Sequence, residues 1–186
     1  MFPLELEYRH YGAQPYTICM PEHFISSSGL RLTLDHVVQE IIRFMQDGPN
    51  HRYKITIGTD SERLADNGAD FVTAVVVHRI GNGGRYFWRR AQIGKFHTLR
   101  DRIIKEVLLS LELGKLALVA LKEHSSKTFS ATATPQWDFE IHADIGENGP
   151  TKAVLQEVVG MIRAYDFAAI TKPGSYAASN VADRHV

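Results

Sequence analysis

The sequence is poor in cysteine: Cys19 is the only one among 186 residues. One thiol closes no internal disulfide and builds no cysteine zinc cluster, so it is expected to serve as a small packed side chain. Net charge is lacking too. Lys plus Arg number 21 and Asp plus Glu number 21, for a formal charge of +0. Overall charge therefore speaks neither for nor against a polyanionic partner, and only local patches can. No apolar run approaches the ~20 residues of a membrane span, so no membrane partner is expected. Glu5, Glu7 and Arg9 crowd the first ten residues, which does not fit a secretory signal peptide. Internal repeats and low-complexity tracts are not visible. These absences lead to the expectation of a reduced, cytoplasmic protein.

What is present is an ordinary globular composition, 44% hydrophobic and 23% charged, long enough for one domain with a real core. Residues 1–30 carry Pro3, Pro15, Pro21 and Ser26-Ser27-Ser28-Gly29, and read as an irregular N-terminal extension. The domain proper is expected over 31–186. It begins with an added helix over 33–47, capped by Thr33, with Val37, Val38, Ile41, Ile42 and Met45 at helical spacing. Gly48-Pro49 ends it.

Three strands follow. Residues 53–61 are β-branched and end at Asp60-Ser61; 71–79 hold Val72, Val75, Val76 and Val77; 85–94 return after Gly81-Asn82-Gly83-Gly84. A long helix is expected from 98 to 113, reaching as far as 122, then a strand over 137–143, a helix over 151–165, a strand over 167–171 and a last helix over 175–185. Strand–helix–strand links impose parallel pairing. The fold class is therefore α/β: a mixed five-stranded sheet flanked by helices, strands one, four and five parallel and strand two antiparallel.

Asp60 and Asp144 then fall at the C-terminal ends of two parallel strands, where open α/β sheets place their chemistry. Taken alone, either is an ordinary turn residue. On the long helix, Leu99, Ile103, Ile104, Val107 and Leu111 form the apolar stripe, Asp101, Lys105 and Glu112 the solvated face, and Glu106 the edge of the buried stripe. Asp183 and Asn180 share a face of the last helix, where an acid near a chain end is as readily a surface residue. Acids at these four places could share hard divalent cations, which take oxygen ligands. His142 and His185 flank two of them, as auxiliary groups or as packed or exposed side chains.

The segments Ile57-Gly58-Thr59-Asp60-Ser61, Val77-His78-Arg79, His142-Ala143-Asp144-Ile145-Gly146, Glu157-Val158-Val159-Gly160 and 172–183 resemble the YkuK-like family of bacterial proteins, within the ribonuclease H-like superfamily. The resemblance spans about residues 24–185. It implies a ribonuclease H-like fold and a nuclease using Mg2+ or Mn2+. It implies Asp60, Glu106, Asp144 and Asp183 as metal-holding catalytic acids, with Asp101 the alternative to Glu106.

Residues 85–105 carry seven basic side chains against Asp101 alone, interleaved with Tyr86, Phe87 and Trp88. Phosphate contacts and base stacking would use this mixture, while an edge strand defended by charge explains it without a ligand. Arg89, Arg90, Lys95 and Arg100, with Ser61 beside Asp60, are the candidate contacts to nucleic acid, whether RNA, DNA or hybrid. Two other functions fit the same residues: a non-catalytic nucleic-acid-binding or scaffold module, and ATP-dependent phosphotransfer, for which one domain of this length is short.

Overall fold

The computed structural model describes residues 22–130, 133–149 and 151–185, apart from the side chains of Ala178 and Ser179. Cys19 and most of the expected extension lie outside the described residues. Seven strands form one sheet in the order β2-β1-β5-β4-β3-β6-β7. They are β1 Phe24–Ser26, β2 Arg31–Leu32, β3 Tyr53–Arg63, β4 Ala69–Arg79, β5 Gly84–Ile93, β6 Trp137–Ala143 and β7 Ala168–Ile170. The expected five strands are β3 to β7. β3 pairs antiparallel with β4 and parallel with β6, and β6 pairs parallel with β7.

The sheet is thus wider than the five strands expected. The two additions lie in a stretch read as irregular. Ser26 and Leu30 close a tight turn in which Gly29 takes φ 83°, and β1 pairs antiparallel with β5, Ile25 facing Trp88. Two- and three-residue strands carry no period-two pattern to detect. Their physical reason is the row of unpaired backbone groups that β5 would otherwise expose.

Side chains alternate across β3. Ile55 and Ile57 join the main core, which α1 (Leu34–Gln46), α2 (Leu99–Thr128) and α3 (Leu155–Ala164) cover on one face. Thr33 caps α1 by accepting the His36 N–H. α2 runs to Thr128, beyond the end expected, because Gly114 inside it lies against Ile141 and Phe167 rather than breaking it. Its buried face also differs from the expected stripe. Leu99 is exposed and Lys105 half-buried, whereas Glu106 and Ser110 are buried. Among the described residues no helix is long and apolar enough to cross a membrane.

The opposite face of β3 and β4 is covered by a closing helix, in which Ala182 packs on Val72 and Ala74. The expected regular helix is instead a wide π-type turn over Ala177–Ala182 followed by a 3-10 turn over Asp183–His185.

Candidate active site

The β3–β6 register runs from Tyr53↔Trp137 to Thr59↔Ala143. The next residue on each strand is an aspartate. Asp60 and Asp144 therefore stand side by side at the ends of two parallel strands, whose axes lie about 4.8 Å apart, on the face that the closing helix covers. Burial pushes the Asp60 carboxyl up to about 6, with the negative charges of Asp144 and Asp183 adding to the effect; the Ser61 N–H and the Arg102 charge oppose it. Asp144 offers its Oδ2 to Lys172 Nζ at 2.8 Å. Its Oδ1 is buried and has no hydrogen-bond partner among the described residues.

Glu106 approaches from the helical face and is 8% exposed. Its carboxyl is raised to about 8, chiefly by burial, with Asp60 and Asp144 adding to the effect and the Ser61 hydroxyl and the Arg102 charge opposing it. Ser61 Oγ donates to Glu106 Oε1 at 2.5 Å. The Ser61 hydroxyl is therefore engaged by the protein. The cause is strand parity, because the residue after Asp60 must face the helices. Asp101, the alternative helix acid, is exposed in the first turn of α2. Arg102, one turn before Glu106, donates Nη1 to the Ser61 carbonyl at 2.9 Å. It counted only toward the charge of the basic stretch, yet its spacing from Glu106 places both on one helix face.

Asp183 is exposed, and its charge reaches Asp60. Asn180 is exposed beside it. The two histidines each make contacts within the fold. His142 is 1% exposed; its Nδ1 accepts the Ala177 N–H at 3.2 Å, and its Nε2 lies 3.2 Å from Glu140 Oε2. Glu140 also pairs with Lys54 at 2.9 Å. Burial lowers the His142 pKa, so this ring pins the start of the closing helix. His185 stacks on Trp88 with ring centroids 4.3 Å apart, and burial lowers its pKa as well.

The basic stretch is not one open patch. Period two sends neighbouring residues of β5 to opposite faces. Arg89 is half-buried with its guanidinium 5.2 Å from the Phe24 ring, and burial lowers its pKa. Arg90 donates Nε to buried Asp70 at 2.7 Å. Arg100 makes two hydrogen bonds to Glu157. Of the four basic candidates Lys95 alone is exposed without an ion pair among the described residues.

An all-oxygen donor set suits Mg2+ or Mn2+, and the carboxyls of Asp60 and Glu106, both raised first by burial and then by neighbouring acids, mark a site that a cation would relieve. Among the described residues, however, no three Asp, Glu, His or Cys side chains form a ready-made metal cluster. The gap lined by Glu106 and Asp144 is closed to water. Beside it opens a cleft of about 540 Å3 lined by Gly146, Asn148, Thr171, Lys172 and Pro173, among others.

The model of the Ribonuclease H-like family matches residues 36–186. A relative from Bacillus subtilis (strain 168), described as "Uncharacterized protein YkuK", is 32% identical over 164 residues, covering 87% of this chain and 95% of the relative. No solved structure gives a significant match.

Proposed function

The chain belongs to the Ribonuclease H-like family, and from that premise we propose that it is a divalent-metal-dependent nuclease hydrolysing phosphodiester bonds in nucleic acid. Family membership itself points to a nucleic-acid-related function. The observation that carries the narrower reading is the pairing of Asp60 and Asp144 at adjacent parallel strand ends, with Glu106 and Asp183 within electrostatic reach.

In this reading Asp60 and Asp144 hold Mg2+ or Mn2+, with Glu106 and Asp183 completing the acidic set. Cations held there would activate a water and stabilise the leaving oxygen. The residues of the chain set the conditions. At neutral pH Asp60 is mostly ionised, whereas Glu106 mostly keeps its proton. A cation bound at Glu106 would therefore displace its proton. Ser61 Oγ fixes Glu106 Oε1, and Arg102 fixes the Ser61 carbonyl. Together they hold the helix acid at the end of β3. Hydrolysis forms a bond from the water oxygen to phosphorus, breaks the bond to the leaving oxygen, and transfers the water's proton to that oxygen or to solvent.

The test uses the full chain with Mn2+ or Mg2+ on end-labelled single-stranded RNA, single-stranded DNA and an RNA–DNA hybrid. Asp60→Asn should abolish metal-dependent cleavage with an unchanged circular dichroism spectrum. Undiminished cleavage by that variant rejects the assignment. The absence of a ready-made three-ligand cluster among the described residues favours a second reading, a nucleic-acid-binding module without catalysis. Tight, salt-dependent binding with no cleavage under any divalent ion would select it.

A further inference from the structure

The β6–β7 register places His142 opposite Ile170, and the β3–β6 register places Gly58 opposite His142. Two residues further along each chain come Asp60, Asp144 and Lys172, in a row across three parallel strand ends. The row continues the sheet in its backbone, because the Lys172 N–H donates to the Ile145 carbonyl at 2.8 Å. Lys172 Nζ reaches Asp144 Oδ2 at 2.8 Å. Its stem lies flat against Gly146, where an added Cβ would stand 3.2 Å from Lys172 Cβ. The ammonium is thus seated by backbone pairing, by a missing side chain opposite and by a carboxylate partner. It also borders the cleft of about 540 Å3 beside the acids.

We propose that Lys172 is a built-in placeholder cation, which neutralises Asp144 in the metal-free protein and competes with the divalent ion for that carboxylate. The inference rests on Asp144 being a metal ligand and adds a positioning residue that the acidic set alone does not contain. An ammonium is a compact charge on a flexible stem. It can leave Asp144 for the adjoining cleft when a cation of higher charge arrives. Its presence sets how much divalent ion the site needs before it fills.

The readout is binding, not turnover. Mn2+ affinity of the full chain is measured by calorimetric titration and by loss of the free Mn2+ paramagnetic signal. The chains compared are wild type, Lys172→Gln, Gly146→Ala, Asp144→Asn and the Lys172→Gln/Asp144→Asn double variant. Lys172 is half-exposed, so Lys172→Gln should fold; thermal melting checks this. Removing one half-exposed ion pair and a like charge next to the metal should tighten Mn2+ binding about three- to tenfold. Gly146→Ala, which pushes the lysine stem away without removing its charge, should move affinity in the same direction. In the Asp144→Asn background, where the ammonium has no carboxylate to hold, Lys172→Gln should change any remaining Mn2+ affinity by less than it does in the wild type. Equal or weaker Mn2+ binding by Lys172→Gln, while Asp144→Asn still abolishes a site, overturns the placeholder role alone. If Asp144→Asn leaves Mn2+ binding unchanged, the metal reading of Asp144 falls, and the placeholder role falls with it.

Discussion

Glu106 is the residue whose removal should stabilise the metal-free protein and weaken its response to metal. Its carboxyl is raised from 4.5 to about 8, first by burial and then by the charges of Asp60 and Asp144. A carboxyl with a raised pKa in the folded state keeps a proton that the unfolded chain gives up. The stability it contributes is complete below about pH 4.5 and is lost as pH rises through about 8. With those two values, the loss between pH 5 and pH 8 is about 3 kcal/mol. Glu106→Gln keeps the volume and still accepts the Ser61 hydroxyl, but it has nothing to ionise. In a chain of this size 1 kcal/mol moves the melting temperature by about 2–4 °C. Thermal melts in a metal chelator, followed by circular dichroism from pH 5 to pH 8, should show the variant gaining roughly 6–12 °C on wild type at pH 8. At pH 5 the two should nearly coincide. Adding Mn2+ at pH 8 should raise the wild-type curve more than that of the variant. Parallel curves across the range, or a variant less stable at pH 8, would refute the buried-acid reasoning.

Two further substitutions probe the frame around the acids. Thr59 Oγ1 bridges Thr73 Oγ1 at 3.0 Å and Ser110 Oγ at 2.8 Å, all three side chains being buried. Thr59→Val should cost about 1–3 kcal/mol in denaturant unfolding by stranding two hydroxyls, and adding Thr73→Val and Ser110→Ala should recover much of that loss. His142→Ala should cost about 2–4 kcal/mol by opening a cavity and orphaning the Ala177 N–H. Amide exchange across 176–182 should speed up in that variant more than in β3; unchanged protection there would show that His142 does not hold the closing helix.

The central strands were legible because β3, β4 and β6 are long and their pairing is fixed by connection lengths. β1 and β2 were hidden because strands of three and two residues have no period, and their pairing with β5 is a tertiary choice. The length of α2 was hidden by Gly114, a residue that usually weakens a helix and here lets it approach Ile141. At the site, Asp60 and Asp144 could be placed from strand ends, and Glu106 from its angle on the helix. Lys172 could not, because its position depends on the β6–β7 register, which short β7 hardly announces. The surroundings of the basic stretch were hidden for a related reason. Charge counted along the chain ignores the alternation that turns Arg89 and Arg90 to opposite sides, and the packing that gives Arg90 and Arg100 acidic partners.

Strand parity at β3 has a consequence for which length changes the protein can absorb. Asp60 looks toward the closing helix and Ser61 toward α2 only because an odd number of steps separates Asp60 from core-facing Ile55 and Ile57. Gaining or losing one residue between Ile57 and Asp60 would exchange the two outlooks, sending the acid into the helical layer and an apolar or hydroxyl side chain to the front. A change of two would keep the outlook but move Asp60 off the row it shares with Asp144 and Lys172. Loops such as 64–68 and 80–83 can vary in length without touching that alignment, whereas the segment from Ile55 to Ser61 can change its side chains but not its count.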